Sequence, residues 1–323
     1  MSSVLRAGKR ATAAVIARVP PLERGWVRFA RAHPGLRLSR SLAAALAETY
    51  AHSPRRFRTV DLPSGPHMVV DICDLFYPLY FLGVEYEPET SALIRRVLRP
   101  GDVAFDLGAN AGYFSLLMAS LVGPRGRVHS FEPNPALTRM LGESIALSHY
   151  EDRVTLNQVA VSDRSSRSAT FYISQLPNNS GVSALTPLDW GVRDGIYSEA
   201  GSVLVDVVAL DDYARAQGIR RCDLLKIDVE CNEAAVVRGM HRLLETLRPR
   251  WIICETGLAG EADLQFRAGG YVSYRNTKAG WEPIFANSGH YWGNILYVPE
   301  ECASKVDESA SPGVAVQSGR SAR

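Results

Sequence analysis

An α/β fold around a doubly wound, mostly parallel sheet follows from three features of this 323-residue chain. Short apolar runs bounded by Gly, Pro, Asn or Asp alternate with helical segments of about 10–15 residues between positions 89 and 300, the rhythm of parallel strands covered on both faces. The composition is globular: 46% hydrophobic and 22% charged, with a formal net charge of +2, which excludes wholesale disorder. A glycine-containing turn, Asp106-Leu107-Gly108-Ala109-Asn110-Ala111-Gly112, joins one buried strand to the next helix, as in nucleotide-type βα units.

The elements read in order. Residues 1–60 carry twelve Lys/Arg against Glu23 and Glu48, a local charge of +10 that leaves −8 for the remainder. This basic segment reads as two helices, near Arg6–Val19 and Leu42–Tyr50, with Ser39 and Ser41 as candidate caps. Two readings stay open for it: solvated helices packed on the domain, or peripheral contact with an anionic membrane surface or acidic partner. Its Arg-rich, acid-poor start has a transit-peptide flavour, but no small-residue cleavage pattern follows a long apolar core. Phe57–Leu62 and His67–Ile72 flank Pro63-Ser64-Gly65-Pro66 as a hairpin. Pro78 breaks the most apolar run, Leu75 to Gly83, and no stretch reaches the ~18 apolar residues of a membrane span.

A helix over Glu89–Leu98 precedes the strand Asp102–Asp106, and Tyr113–Val122 is the helix after the glycine turn. Arg127–Phe131 (strand) and Pro135–Ser148 (helix) follow, then strands at Val154–Val161, Ala169–Ile173 and Val203–Val208. Cys222–Val229 is a strongly apolar strand, Glu233–Leu247 a helix, and Arg250–Glu255, Tyr271–Tyr274 and Asn294–Val298 complete the strands. The expected domains are a basic helical segment (1–56), a doubly wound α/β domain (57–300) and a disordered Ser/Gly/Ala-rich tail (301–323). Cys73, Cys222, Cys231, Cys254 and Cys302 are odd in number and lack a C-x-x-C pair, so no zinc knuckle or disulfide framework is expected and a cytoplasmic setting is.

Chemistry concentrates at three places. Gly108 and Gly112 permit a tight turn and close ligand approach, and Asp106 ends the preceding strand with a carboxylate suited to an amino group or hydroxyl. Asn110 stands where a dinucleotide fingerprint has its middle glycine, and no third glycine follows, which disfavours a pyrophosphate. Glu132, in Ser130-Phe131-Glu132-Pro133-Asn134-Pro135, closes the next strand 24 positions after Gly108, placed to accept two ribose hydroxyls or, alternatively, to cap the Pro135 helix. Lys226, Asp228 and Glu230 end a buried strand and fall on one side if the extended conformation holds. They read as a functional cluster or a structural ion pair.

These three segments, in this order, resemble the signatures of FkbM-type S-adenosylmethionine-dependent methyltransferases. Glu85-Tyr86-Glu87-Pro88-Glu89-Thr90, Arg99-Pro100-Gly101-Asp102, Asn179-Ser180-Gly181, Val207–Leu210 with Asp211-Asp212, and Arg238-Gly239 fit as well, so the resemblance covers roughly residues 75–300. It implies a class I methyltransferase, Rossmann-like fold and S-adenosylmethionine as cofactor. O-methylation of a sugar, glycolipid or natural-product hydroxyl is the implied reaction. Gly108, Asn110 and Gly112 would cradle the methionine part, with Asp106 on its ammonium directly or through water. Glu132 would take the ribose, and Asp228 would sit beside the sulfonium and the incoming hydroxyl. Asp228 or Glu230 would take the hydroxyl proton if burial raises its pKa; a divalent metal on Asp228, Glu230 and Glu255 is a second route. His241 and His290 are further base candidates.

Where the family usually has a glycine and a small residue after this strand, the chain has Cys231-Asn232, bulkier side chains expected to reshape the acceptor pocket. No Asn/Asp-Pro-Pro-aromatic segment replaces Lys226–Glu230, and the catalytic domain is acidic, so nucleic acid is not the expected partner. The expected acceptor is a small-molecule or carbohydrate hydroxyl. Ser174–Ser202, with Trp190 and Tyr197, would lie over the pocket, its aromatics stacking on a sugar or anchoring the loop. A nucleotide-linked oxidoreductase and a non-catalytic cofactor-binding or docking protein are the competing functions.

Overall fold

The computed structural model describes residues 3–176, 179–186, 189–277, 280–285 and 288–304. Residues 305–323, most of the expected tail, lie outside the described residues.

Three helices open the chain: α1 (Ser3–Arg18), α2 (Pro20–Ala32) and α3 (Arg37–Tyr50). The expected two helices are thus three, because Pro20 and Pro21 both fit the first turn of α2, where their missing N–H groups cost nothing. Ser39 and Ser41 lie inside α3 rather than at its cap, and their hydroxyls are buried without a partner among the described residues. The helices pack on the domain through small side chains. Ala13, Ala17, Ala30, Ala43 and Leu46 are buried in the same core as one face of the main sheet. A buried Glu23 of α2 accepts Arg55 at 2.6 Å, tying the helices to the segment that enters the domain.

The hairpin β1 (Phe57–Asp61) and β2 (His67–Asp71) leads into α4 (Tyr77–Leu82) and α5 (Pro88–Val97). Pro78, expected only to break an apolar run, sits in the first turn of α4, which ends at the left-handed Gly83. Then follow β3 (Val103–Leu107), α6 (Tyr113–Val122), β4 (Arg127–Phe131), α7 (Pro135–Leu147) and β5 (Val154–Asn157). A side sheet contains β6 (Ala160–Ser162), β7 (Ser166–Tyr172) and, after α8 (Asp189–Arg193), β8 (Ser202–Ala209). The chain returns through α9 (Leu210–Ala216) to β9 (Leu224–Ile227), α10 (Glu233–Arg238), α11 (His241–Thr246) and β10 (Trp251–Gly257). It ends with α12 (Glu261–Ala268), β11 (Tyr271–Thr277), β12 (Gly280–Ile284) and β13 (Trp292–Pro299).

The main sheet has eight strands in the order β12-β11-β13-β10-β9-β3-β4-β5. The run from β10 to β5 is parallel, and β13 inserts antiparallel between β10 and β11. Alternate strand residues feed two cores: Ala104, Leu224, Ile253 and Leu296 face α6, α7 and the N-terminal helices, while Phe105, Leu225, Ile252 and Ile295 face the layer of α9 to α12. Both faces are therefore covered, as the unbroken apolar runs required.

Two expected elements divide. Val154–Val161 is not one strand, since β5 belongs to the main sheet and β6 to the side sheet. Glu233–Leu247 breaks at Gly239, where a methyl group would overlap the Ser162 carbonyl oxygen. The helix pair bends there and lets β6 approach.

The strand order reverses between β3 and β9. The chain runs outward from β3 to β5, then crosses over to start again at β9. Ligands of such sheets bind beyond the carboxyl ends of the strands at that reversal, and a cavity lies there.

Candidate active site

The cavity has a volume of about 270 Å³ and lies between the β3–α6 loop, the end of β9, the α4–α5 region and the loop Asn179–Ser183. Gly108, Asn110 and Gly112 all adopt positive φ (81°, 52° and 99°). Asparagine tolerates that region because its short amide can bond locally, and Asn110 Oδ1 accepts the Ala111 N–H at 2.7 Å. The amides of Gly108 and Ala109 both donate to the Phe131 carbonyl, at 3.0 and 2.9 Å, which locks the loop to the end of β4. Gly112 then opens α6 against Leu141, with which a methyl group would overlap.

Glu132 is not the helix cap. Asn134 caps α7 through Oδ1 on the Ala136 N–H at 3.0 Å. Both Glu132 oxygens are used instead as a brace: Oε2 accepts from the Asn110 amide and Oε1 from the Asn134 amide, each at 2.8 Å. The carboxyl is 5% exposed, and burial pushes its pKa up to about 7 against those two donors. It also lines the cavity, where each oxygen keeps a further lone pair for a ligand. Glu132→Ala should therefore weaken S-adenosylhomocysteine binding by about 1–3 kcal/mol, through the lost acceptor and two unpartnered amides. Unchanged affinity in a calorimetric titration would remove Glu132 from the cofactor site.

Asp106 lies deeper. Its side chain is 1% exposed and absent from the cavity walls; Oδ2 accepts from Ser115 Oγ at 2.6 Å, while Oδ1 is buried without a partner among the described residues. Burial raises its pKa, partly offset by Lys226.

The end of β9 carries the electrostatic centre. Lys226 pairs in the sheet with Asp106, and Ile227 with Leu107 and Cys254, so Gly108, Asp228 and Glu255 follow side by side at three neighbouring strand ends. Lys226 is 1% exposed and its Nζ meets Asp228 Oδ2 at 2.7 Å and lies 4.8 Å from the centre of the Phe114 ring. Burial opposes its charge, but Asp228, Glu87 and Asp106 together outweigh that and hold the proton more tightly than usual. Asp228 is the reciprocal case: burial would raise its pKa, but Lys226 and a hydrogen bond with Glu255 keep it below the usual carboxylate range. Glu255 is pushed up to about 8 by burial and then by Asp228, the opposite direction from its neighbour.

The extended conformation does not hold as far as Glu230. β9 stops at Ile227, and Glu230 and Cys231 both turn left-handed (φ 50° and 65°). Glu230 still lines the cavity from that turn, and burial followed by Asp228 pushes its carboxyl up to about 7. Cys231, in a backbone conformation that favours glycine, points to solvent, while Asn232 lines the cavity and donates to the Val161 carbonyl at 2.9 Å.

Several wall residues were not singled out for the site from the sequence. Glu87, at the start of α5, accepts Asn294 Nδ2 from β13 at 2.7 Å, and Asn294 pairs with Glu255 across the sheet. Asn179 to Ser183 form the opposite wall, fixed by the Ser180 amide on Asp74 at 3.0 Å. Tyr197 is an anchor rather than a stacking platform: it is buried and its hydroxyl donates to the Val182 carbonyl at 2.6 Å. The Trp190 side chain lies outside the described residues. His241 and His290 are exposed and line no part of the cavity.

The donor sets discriminate between the two expected cofactors. Among the described residues no group of three or more His, Cys, Asp or Glu side chains is gathered as metal ligands, and the Lys226 ammonium already occupies the Asp228 oxygen a cation would take. The residues do not fit a divalent ion. They do fit S-adenosylmethionine: a loop whose two glycines leave no room for a β-carbon, a braced acid at the second strand end and an orphaned buried carboxylate oxygen below the loop.

This site on this strand order defines a class I methyltransferase. Residues 106–272 match the family model described as the methyltransferase FkbM domain, and the chain belongs to that family. It is 32% identical over 217 residues to the 31-O-demethyl-FK506 methyltransferase FkbM of Streptomyces tacrolimicus, covering 59% of this chain and 79% of that protein. It is 33% identical over 159 residues to the methyltransferase sdnD of Sordaria araneosa, covering 42% of this chain and 59% of that one. Among solved structures, Aeropyrum pernix fibrillarin with S-adenosyl-L-methionine is 15% identical, with a TM-score of 0.35 over 75% of this chain and 94% of that one. The chain is thus a methyltransferase enzyme of S-adenosylmethionine-dependent type, and the oxidoreductase reading falls.

Proposed function

We propose that the enzyme methylates a hydroxyl oxygen of an uncharged sugar, glycolipid or natural-product acceptor. The observation that carries this reading is the end of β9, where an ionised Asp228 is held by Lys226 between two carboxyls of raised pKa, Glu230 and Glu255. The name of the Streptomyces relative, which specifies an oxygen, supports it.

Bound S-adenosylmethionine supplies an electrophilic methyl group on a sulfonium. The protein's part is to align an oxygen with it, exclude water and accept one proton. Asp228, ionised and facing the cavity, orients the hydroxyl and complements the positive sulfonium. Its depressed pKa makes it a weak base. Glu230, whose carboxyl burial pushes up toward neutral pH, takes the proton. Glu255 holds its own proton on Asp228 and keeps that carboxylate in place.

Among the described residues the walls carry Glu87, Asp228 and, when ionised, Glu132 and Glu230 against Lys226, and that lysine is already paired. Phosphorylated or carboxylated acceptors are repelled by this arrangement, and nucleic acid with them.

The test is methyl transfer from labelled S-adenosylmethionine to matched panels of neutral polyhydroxylated, phosphorylated and amine acceptors, with products assigned by mass spectrometry and NMR. O-methyl products confined to the neutral panel are expected. N-methyl products would overturn the reading. With such an acceptor, kcat/KM should rise with pH through about 7 as Glu230 ionises, and Glu230→Gln should flatten that limb and lower the rate by on the order of 10²–10⁴. An unchanged profile in Glu230→Gln would assign the proton elsewhere.

A further inference from the structure

We propose that the solvent face of α2 docks this enzyme on an anionic lipid surface. The helix is amphipathic in an unusual way. Its inner side buries Glu23 and Ala30 and packs Trp26 and Val27 against the domain. At about 100° per residue, its outer side runs in order through Arg24, Arg28, Pro21, Ala32, Gly25, Phe29 and Leu22, all exposed. Cations thus form one flank and large apolar side chains the other, with a low ridge of small residues between them.

Leu22 and Phe29 are 49% and 44% exposed, two turns apart on the same flank. Val19 immediately before the helix and Leu36 shortly after it are also exposed, so apolar side chains continue at both ends. Isolated exposed leucines need no explanation, but a two-turn apolar flank beside a cationic one is the pattern of a helix lying in a membrane interface.

The charge is available for that purpose. Among the described residues no acid pairs with Arg24, Arg28, Arg18 or Arg37. Other arginines nearby are occupied within the fold: Arg31 donates to the Tyr80 carbonyl at 2.7 Å, Arg55 binds Glu23, and Arg10 binds Glu48. Residues 1–60 are net +10 while the remainder is −8, so an anionic surface attracts this end of the molecule and repels the other, which orients the protein on it. The small ridge lets the backbone approach the headgroups, while arginine stems reach phosphates and Leu22 and Phe29 enter the acyl boundary.

Sedimentation of the full-length protein with phosphatidylglycerol-containing vesicles in low salt should show binding that is absent with phosphatidylcholine alone. Arg24→Ala/Arg28→Ala should weaken it about 25-fold, at about fivefold per arginine. Leu22→Ser/Phe29→Ser, which leaves the charge intact, should abolish cosedimentation as well. All four positions are exposed, and unchanged S-adenosylhomocysteine affinity checks that each variant is folded. Equal binding to both vesicle types, no binding to either, or binding indifferent to Leu22→Ser/Phe29→Ser would each overturn the proposal. The last result, with equal affinity for heparin, would identify a general polyanion site instead.

Discussion

Asp228→Asn should reduce turnover by on the order of 10²–10³-fold while leaving S-adenosylhomocysteine affinity close to the parent value. Losses of that size follow removal of a single preorganised charge from a water-poor site. The change is nearly isosteric, so it tests charge rather than shape. Its second consequence follows from the buried lysine: Lys226 loses the partner at 2.7 Å and keeps only the more diffuse influence of Glu87 and Asp106. Breaking a buried pair by removing one member destabilises by about 3–5 kcal/mol, because the remaining charge is left uncompensated. The double variant Asp228→Asn/Lys226→Met should therefore recover much of the lost thermal stability and none of the turnover. That split separates the pair's structural role from its chemical one. Parent-level turnover in Asp228→Asn would remove the residue from the reaction, and a double variant no more stable than the single one would show that Lys226 is compensated elsewhere.

What the sequence disclosed and what it concealed divide along physical lines. The glycine loop, the acid closing β4 and the charged end of β9 were legible because each is a local statement: a positive φ, a strand boundary, or charges too costly to bury unpaired. The helix Tyr113–Val122 and the strand Arg127–Phe131 match their sequence reading residue for residue, since one is apolar all round and the other is bounded by glycine and proline. The missed residues belong to long-range geometry. Asn294 reaches Glu87 across 207 positions because β13 inserts beside β10, and a single strand pattern does not encode its neighbour. Glu255 was visible as a candidate ligand, but its place beside Asp228 depends on the parallel register of β9 and β10. Apolar runs also hide boundaries: Val154–Val161 reads as one strand, though the chain passes from the main sheet to the side sheet within it.

The strand ends meet so closely that one methyl group should part them. At Gly108 a β-carbon would overlap the Asp228 carbonyl oxygen, and φ is +81°. Neither obstacle relaxes easily. Asp228 is held by its amide on the Leu107 carbonyl at 3.0 Å and by its side chain on Lys226, while the Gly108 amide is committed to Phe131. Gly108→Ala should thus cost more than about 3 kcal/mol, combining a strained left-handed residue with forced overlap, and should abolish measurable S-adenosylhomocysteine binding. Gly65→Ala supplies the comparison, because Gly65 has φ +105° in the β1–β2 turn and nothing within 4 Å of a new β-carbon. It isolates the backbone penalty alone, about 1–2 kcal/mol. If Gly108→Ala melted no lower than Gly65→Ala and still bound the ligand, the loop and the end of β9 would have room to separate. Loss of both properties at Gly108 alone would mean that one close contact fixes the glycine loop and Asp228 in register.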